Sequence, residues 1–170
     1  MKKLFSNIYH KFFKYRYDEN YQNINYKLIC DFEKFESEKY RLKLFENIDI
    51  KKIKSVLDYG CGYGMNMKVL KDLNNNINLT GIERSKNKIR MLNIINDNIY
   101  KMPLNLYDIT KLSKIEKKYD LVFTDAVLIY VNPNNIYELL KKLIHSSKKN
   151  VLLHELNHND NQHDIDHLYV

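Results

Sequence analysis

Val56-Leu57-Asp58-Tyr59-Gly60-Cys61-Gly62-Tyr63-Gly64 is the stretch that decides the fold. It holds three of the chain's four glycines, at alternate positions, directly after the apolar run 53–57. A short apolar run that ends on an acid and a glycine cluster, then passes into Met65-Asn66-Met67-Lys68-Val69-Leu70, reads as strand, tight turn and helix. Glycine in such a turn brings bare backbone against a ligand, with the first N–H groups of the helix pointing outward. The stretch therefore predicts a cofactor-binding turn.

The dinucleotide fingerprint G-x-G-x-x-G/A fits it badly. Gly60 and Gly62 fill the first two positions, but the third falls on Met65, whose side chain would crowd a pyrophosphate turn. The remaining glycine comes one residue early, at Gly64, and Asp58 stands two residues before Gly60. This D-x-G-x-G-x-G form resembles the first motif of the class I S-adenosylmethionine-dependent methyltransferases. The resemblance implies that the loop of Gly60, Cys61, Gly62 and Gly64 packs against the methionine portion of S-adenosyl-L-methionine. It also implies that Asp58 helps hold the cofactor's ammonium end.

Length and composition agree with one globular unit. At 170 residues, 44% hydrophobic and 29% charged, the chain can bury an ordinary core. No apolar run approaches the roughly 20 residues needed to cross a bilayer, so no membrane role is expected. The start Met1-Lys2-Lys3-Leu4-Phe5 looks like that of a signal peptide, but His10, Lys11 and Lys14 interrupt any apolar core region. Only Cys30 and Cys61 are present, and Cys61 lies inside the glycine loop, so a cytoplasmic protein without a disulfide framework is expected. The formal charge of +7 raises the question of nucleic acid. Arginine occurs only at 16, 41, 84 and 90, and lysine pairs are scattered at 2–3, 51–52, 117–118, 141–142 and 148–149. Dispersed lysine suits a solvated surface better than a phosphate-binding one, where arginine is prominent.

Residues 1–50 contain neither glycine nor proline and carry apolar residues at helical spacing, which predicts helices. In the resembling family, helices ahead of the first strand cap the cofactor and shape the acceptor pocket. Tyr15, Tyr17, Tyr21 and Tyr26 could line such a pocket or simply sit half-buried on a helix. After the first helix, expected over 64–73, residues 77–83 read as a second strand ending on Glu83. That acid lies about 20 residues past the loop, the offset at which a strand-two carboxylate accepts two hydrogen bonds from a ribose diol. As a strand-end acid facing a crevice it should support little packing. Ser85 is placed to cap the next helix.

The third strand should fall within 99–108. By resemblance Asp108 meets the adenine amino group, although Asp108-Ile109-Thr110 equally suits a helix N-cap. Residues 119–131 look like the family's fourth-strand segment, which reaches cofactor and acceptor from Asp125 onward. Pro133 opens a helix, and 150–156 forms a fifth strand. Strands alternating with helices predict an α/β fold, a Rossmann-like, doubly wound and mainly parallel sheet of order 3-2-1-4-5. The family adds an antiparallel hairpin after strand five. About 14 residues remain here, so the C-terminal hairpin is expected to be missing or the sheet edge completed otherwise. The expected organisation is a helical cap over 1–50, the binding domain over 51–156 and a polar tail over 157–170.

Segment 121–133 is similar to methyltransferases associated with pseudaminic acid and other surface-sugar pathways, which carry a histidine where Tyr130 stands. Tyr130 and His154, the latter at the crevice end of strand five, are the candidate catalytic residues. His154, His158, His163 and His167 include two i,i+4 pairs, but the first starts in a strand and the tail reads as polar loop, so no metal site is expected. No Asn/Asp-Pro-Pro-Tyr/Phe box follows strand four, and no cysteine is placed for attack on a pyrimidine. By elimination the acceptor is a small molecule or a saccharide. An RNA methyltransferase remains an alternative if lysines cluster beside the loop, as does a non-catalytic partner subunit with an incomplete acceptor site.

Overall fold

Ser55–Tyr59 forms β1, buried along its whole length, as a central strand of a sheet covered on both faces must be. The computed structural model describes residues 40–108 and 117–155 in full, and 167–169 as backbone. After β1 come α1 (Met65–Leu73), β2 (Asn78–Glu83), α2 (Lys86–Ile95), β3 (Leu104–Asp108), β4 (Tyr119–Asp125), α3 (Pro133–His145), β5 (Ser147–His154) and β6 (His167–Tyr169). The sheet order is β3-β2-β1-β4-β5-β6. The first five strands are mutually parallel, as the alternation of strand and helix predicts.

The sheet edge beyond β5 is completed by the sixth strand. It pairs antiparallel to β5, with Leu152 opposite Tyr169 and His154 opposite His167. One short strand thus completes the edge, the second of the two outcomes expected for the C-terminus. The tyrosines at 15, 17, 21 and 26, His158 and His163 lie outside the described residues, as does most of the predicted helical cap. No described helix is long and apolar enough to cross a membrane.

Local signals account for the helix ends. Ser85 accepts a hydrogen bond from the Lys88 N–H at 3.3 Å, the cap expected for α2. Asn132 caps α3 by accepting from Asn134, and Pro133 occupies the first turn, where its missing N–H costs nothing. Each helix drives one stripe into the core: Met67 and Leu70 from α1, Leu92 and Ile95 from α2, Leu139 and Leu143 from α3. Burial of each such side chain contributes about 1.5–3 kcal/mol.

The register fixes which side chains share a face. Val56, Leu79, Leu104, Leu121 and Leu152 belong to one core cluster, with α1 and α2. Leu57, Ile82 and Val122 belong to the other, with α3. Side chains alternate along a strand with period two. Counting on by pairs from the first cluster, Asp58, Glu83, Asp108, Asp125 and His154 all fall on the same face, toward the C-terminal ends of their strands. Helical residues 40–44 and the turn after them pack on that face too, through Leu44 and Phe45.

Candidate active site

A cavity of about 1290 Å³ opens where the parallel strands end. That is the crevice in which open α/β sheets bind ligands, and it exceeds the roughly 300–1,000 Å³ of a pocket for one drug-sized molecule. Gly60, Cys61 and Gly62 line it, with Glu83, Asp125, Tyr130 and the start of α2.

The glycine turn forms one wall. The N–H groups of Gly60 and Cys61 both donate to the Ile82 carbonyl, at 2.7 and 3.0 Å, which seats the turn on the end of β2. Gly60 has φ +87°, and a Cβ there would stand 2.3 Å from Val127 Cγ2, so only glycine fits. Gly62 also has positive φ, +54°, but a Cβ on it meets no protein atom within 4 Å. The backbone there faces open cavity. Gly64 closes the turn as the residue ahead of α1. Cys61 is buried, and that burial pushes its thiol well above the usual range, which disfavours the thiolate.

Glu83 is tied more tightly than a crevice-facing acid was expected to be. Its Oε2 accepts from Gly62 N–H at 3.0 Å, and Oε1 accepts from the N–H groups of Arg84 and Ser85, both at 2.8 Å. A carboxylate has about four acceptor positions. Three are filled, so one is left for a ligand rather than the two that gripping a diol requires. One expectation changes with this: Glu83 does support local structure. Asp108 lies directly beside it across β2 and β3.

Asp58 stands behind the turn, 1% exposed, and its Oδ2 has no hydrogen-bond partner among the described residues. Burial, with the nearby charges of Asp125 and Glu83, pushes its carboxyl well above the usual range, against the pull of Arg41.

Side chains from distant parts of the chain form the opposite wall. Asp125, at the end of β4, accepts from the Tyr40 hydroxyl at 2.9 Å and from Asn66 Nδ2 at 2.9 Å. His154 Nδ1 lies 2.7 Å from Asp125 Oδ1 and 2.8 Å from the Tyr40 oxygen. Arg41 donates to Asn66 at 2.7 Å and stands 3.7 Å from Asp125 Oδ2. Burial alone would raise the Asp125 carboxyl, but the bonds from His154, Asn66 and Tyr40 hold it below the usual carboxylate range. Burial and the Asp125 charge push the Tyr40 phenol up.

His154 is 1% exposed and does not line the cavity. Its ring nitrogen meets Asp125, which does line the cavity. Tyr130 does line the cavity. The turn between them is strained, since Ala126 has φ +54° and donates its N–H to the His154 carbonyl. Glu155 holds that turn, accepting from Thr124 Oγ1 at 2.9 Å, Val127 N–H at 3.2 Å and Leu128 N–H at 2.9 Å. Arg41 and Asn66, on helices, and Ala126 and Glu155, just past strand ends, had no signal in the sequence beyond being polar or small. No group of three or more metal-ligating side chains occurs among the described residues.

A family model described as a methyltransferase domain matches residues 50–166. No curated protein matches the chain. The plantazolicin methyltransferase BpumL in complex with SAH is 24% identical, covering 77% of this chain and 52% of its own, with a TM-score of 0.60. BpumL with a monoazolic desmethylPZN analog and SAH is 21% identical, covering 92% and 60%, with a TM-score of 0.64. The mitomycin 7-O-methyltransferase MmcR is 15% identical, covering 74% and 38%, with a TM-score of 0.60. At these identities the likeness is one of fold, and the chain spans between 38% and 60% of the length of these three structures.

Proposed function

The chain belongs to the methyltransferase-domain family, and on that premise we propose that it transfers a methyl group from S-adenosyl-L-methionine to a small-molecule or saccharide acceptor. One observation carries the reading: the bare backbone at Gly62 faces open cavity, in a turn framed by the carboxyls of Asp58 and Glu83. A cofactor with an ammonium and a sulfonium suits such an acid-framed turn. When bound it supplies a methyl group already activated for in-line displacement, so the protein has mainly to align and to exclude water.

In this reading Gly60, Cys61, Gly62 and Gly64 offer backbone, and Glu83 uses its one remaining acceptor position on the ribose. Asp58 answers the ammonium, and Asp108 the adenine edge. Asp125 is the carboxylate on the acceptor side, held in place by His154 and Tyr40 and able to orient an acceptor group through its remaining acceptor position. Tyr130, on the strained turn clamped by Glu155, helps shape the acceptor pocket. The resemblance of 121–133 to enzymes of surface-sugar pathways points to a sugar-type acceptor.

A second reading, an RNA acceptor, draws on Arg84, Lys86 and Lys88, which border the cavity at the start of α2. Calorimetry tests the cofactor: S-adenosylmethionine and S-adenosylhomocysteine should bind and NAD should not. Binding of NAD with no response to either sulfur compound would overturn the proposal. Transfer of labelled methyl to bulk RNA, with none to sugar nucleotides, would replace the first acceptor class with the second.

A further inference from the structure

Members of three of the scattered lysine pairs, with Lys54, converge in space at the end of the sheet away from the cavity. Lys52 and Lys54 precede β1, Lys117 precedes β4, and Lys148 and Lys149 lie at the start of β5. These five line one groove of about 460 Å³, together with Ser55, Asn78 and Asp120. All five lysines are exposed. The groove and the cavity lie at opposite ends of β1, whose five residues span roughly 17 Å.

The groove is ordered from within. Asp120 Oδ2 accepts from the N–H groups of Lys54 and Ser55, both at 3.0 Å, and from Ser55 Oγ at 3.1 Å. The Ser55 hydroxyl in turn accepts from Asp120 N–H at 3.1 Å, which locks the start of β1 to β4 where the β4–β5 register slips. Slight burial raises the Asp120 carboxyl, but these bonds and Lys148 outweigh that and hold it low. Its charge is thus engaged by the groove itself. Lys52 meets Asp49 at 2.8 Å and Lys148 meets Asp120 at 3.4 Å, whereas Lys54 and Lys149 have no carboxylate partner among the described residues. Five ammonium groups face two carboxylates, so the surface keeps a surplus of positive charge.

We propose that this end of the sheet docks an acidic helical segment of a partner protein. Neighbouring strands start about 4.8 Å apart, close to the 5.4 Å rise of one helical turn, so carboxylates at i and i+4 can meet ammonium groups on successive strands. Nucleic acid fits less well. The groove's lining holds no arginine fork for phosphate and no aromatic ring, and Tyr119, under Lys117, is 3% exposed.

The test uses a fluorescein-labelled helical peptide with glutamate at every fourth position, a labelled single-stranded RNA of equal charge, and fluorescence anisotropy. The comparison is between wild type and the fourfold variant Lys54→Gln, Lys117→Gln, Lys148→Gln, Lys149→Gln. Wild type should bind the peptide more tightly than the RNA, and the variant should bind the peptide at least about fivefold more weakly. S-adenosylhomocysteine affinity and Tm should be unchanged in the variant, which separates this site from the cavity. No peptide binding by wild type, a smaller loss in the variant, or tighter binding of the RNA would each overturn the proposal.

Discussion

The two walls of the cavity are built on different principles. The glycine wall is made by backbone: Gly60 and Cys61 donate to the neighbouring strand, Gly62 donates to Glu83, and no partner is more than about two dozen residues away. The wall around Asp125 is made by side chains drawn from residues 40, 66, 154 and 155. A wall of the first kind depends on residue types that tolerate unusual backbone angles. The second exists only once the sheet and the N-terminal helical turn have assembled. The two meet where Val127 packs on Gly60, so each limits the shape of the other.

The largest effect should come at that junction. Gly60→Val places a branched side chain at φ +87° and into Val127, adding about 1–3 kcal/mol of backbone strain to about 1–3 kcal/mol of overpacking. Thermal unfolding should show a loss of about 2–6 kcal/mol; a variant as stable as wild type would mean the walls do not touch. Glu83→Ala should come next, costing about 2–3 kcal/mol because three N–H groups lose their acceptor. Unchanged stability would return Glu83 to the part of a crevice acid with no structural duty.

The side-chain wall should yield in smaller steps. His154→Leu keeps the core filled but removes a hydrogen bond to a charged acceptor, at a cost of about 1.5–3 kcal/mol. Asp125 is held below its ordinary value, so its contribution is present above the unfolded value of about 3.9 and is lost as pH falls through the folded one. Acid titration of stability should show a shallower loss below about pH 4 in His154→Leu than in wild type, and an identical limb would separate His154 from Asp125. Asp58 carries the opposite sign. Its folded value is raised, so the free protein should gain stability as pH drops through that value toward about 3.9. Asp58→Asn should flatten this gain, and persistence of the gain would place its source elsewhere.

These differences track what could be read from the residues. Val56 to Gly64 announced strand, turn and helix because glycine and apolar periodicity act locally, and the acids at 58, 83, 108 and 125 fell on one face because strands alternate with period two. The partners of those acids were not legible. Nothing local distinguishes Asn66 from any other helical asparagine, or shows that Tyr40 reaches a carboxylate 85 positions away. Nor does a chain position show that His154, at a strand end, turns its ring under Asp125 instead of into the crevice. The antiparallel β6 was missed for a related reason: a three-residue edge strand takes its identity from the neighbour it pairs with.

The central claim is that the backbone at Gly62 is where the cofactor lies. Gly62→Ala tests it most directly, because the added Cβ meets no protein atom within 4 Å and its only internal cost is about 1–2 kcal/mol for a left-handed residue. Calorimetric titration with S-adenosylhomocysteine, beside a thermal melt of the same sample, should show a folded protein whose affinity has fallen at least about tenfold. A folded variant that binds the compound as tightly as wild type would contradict the account.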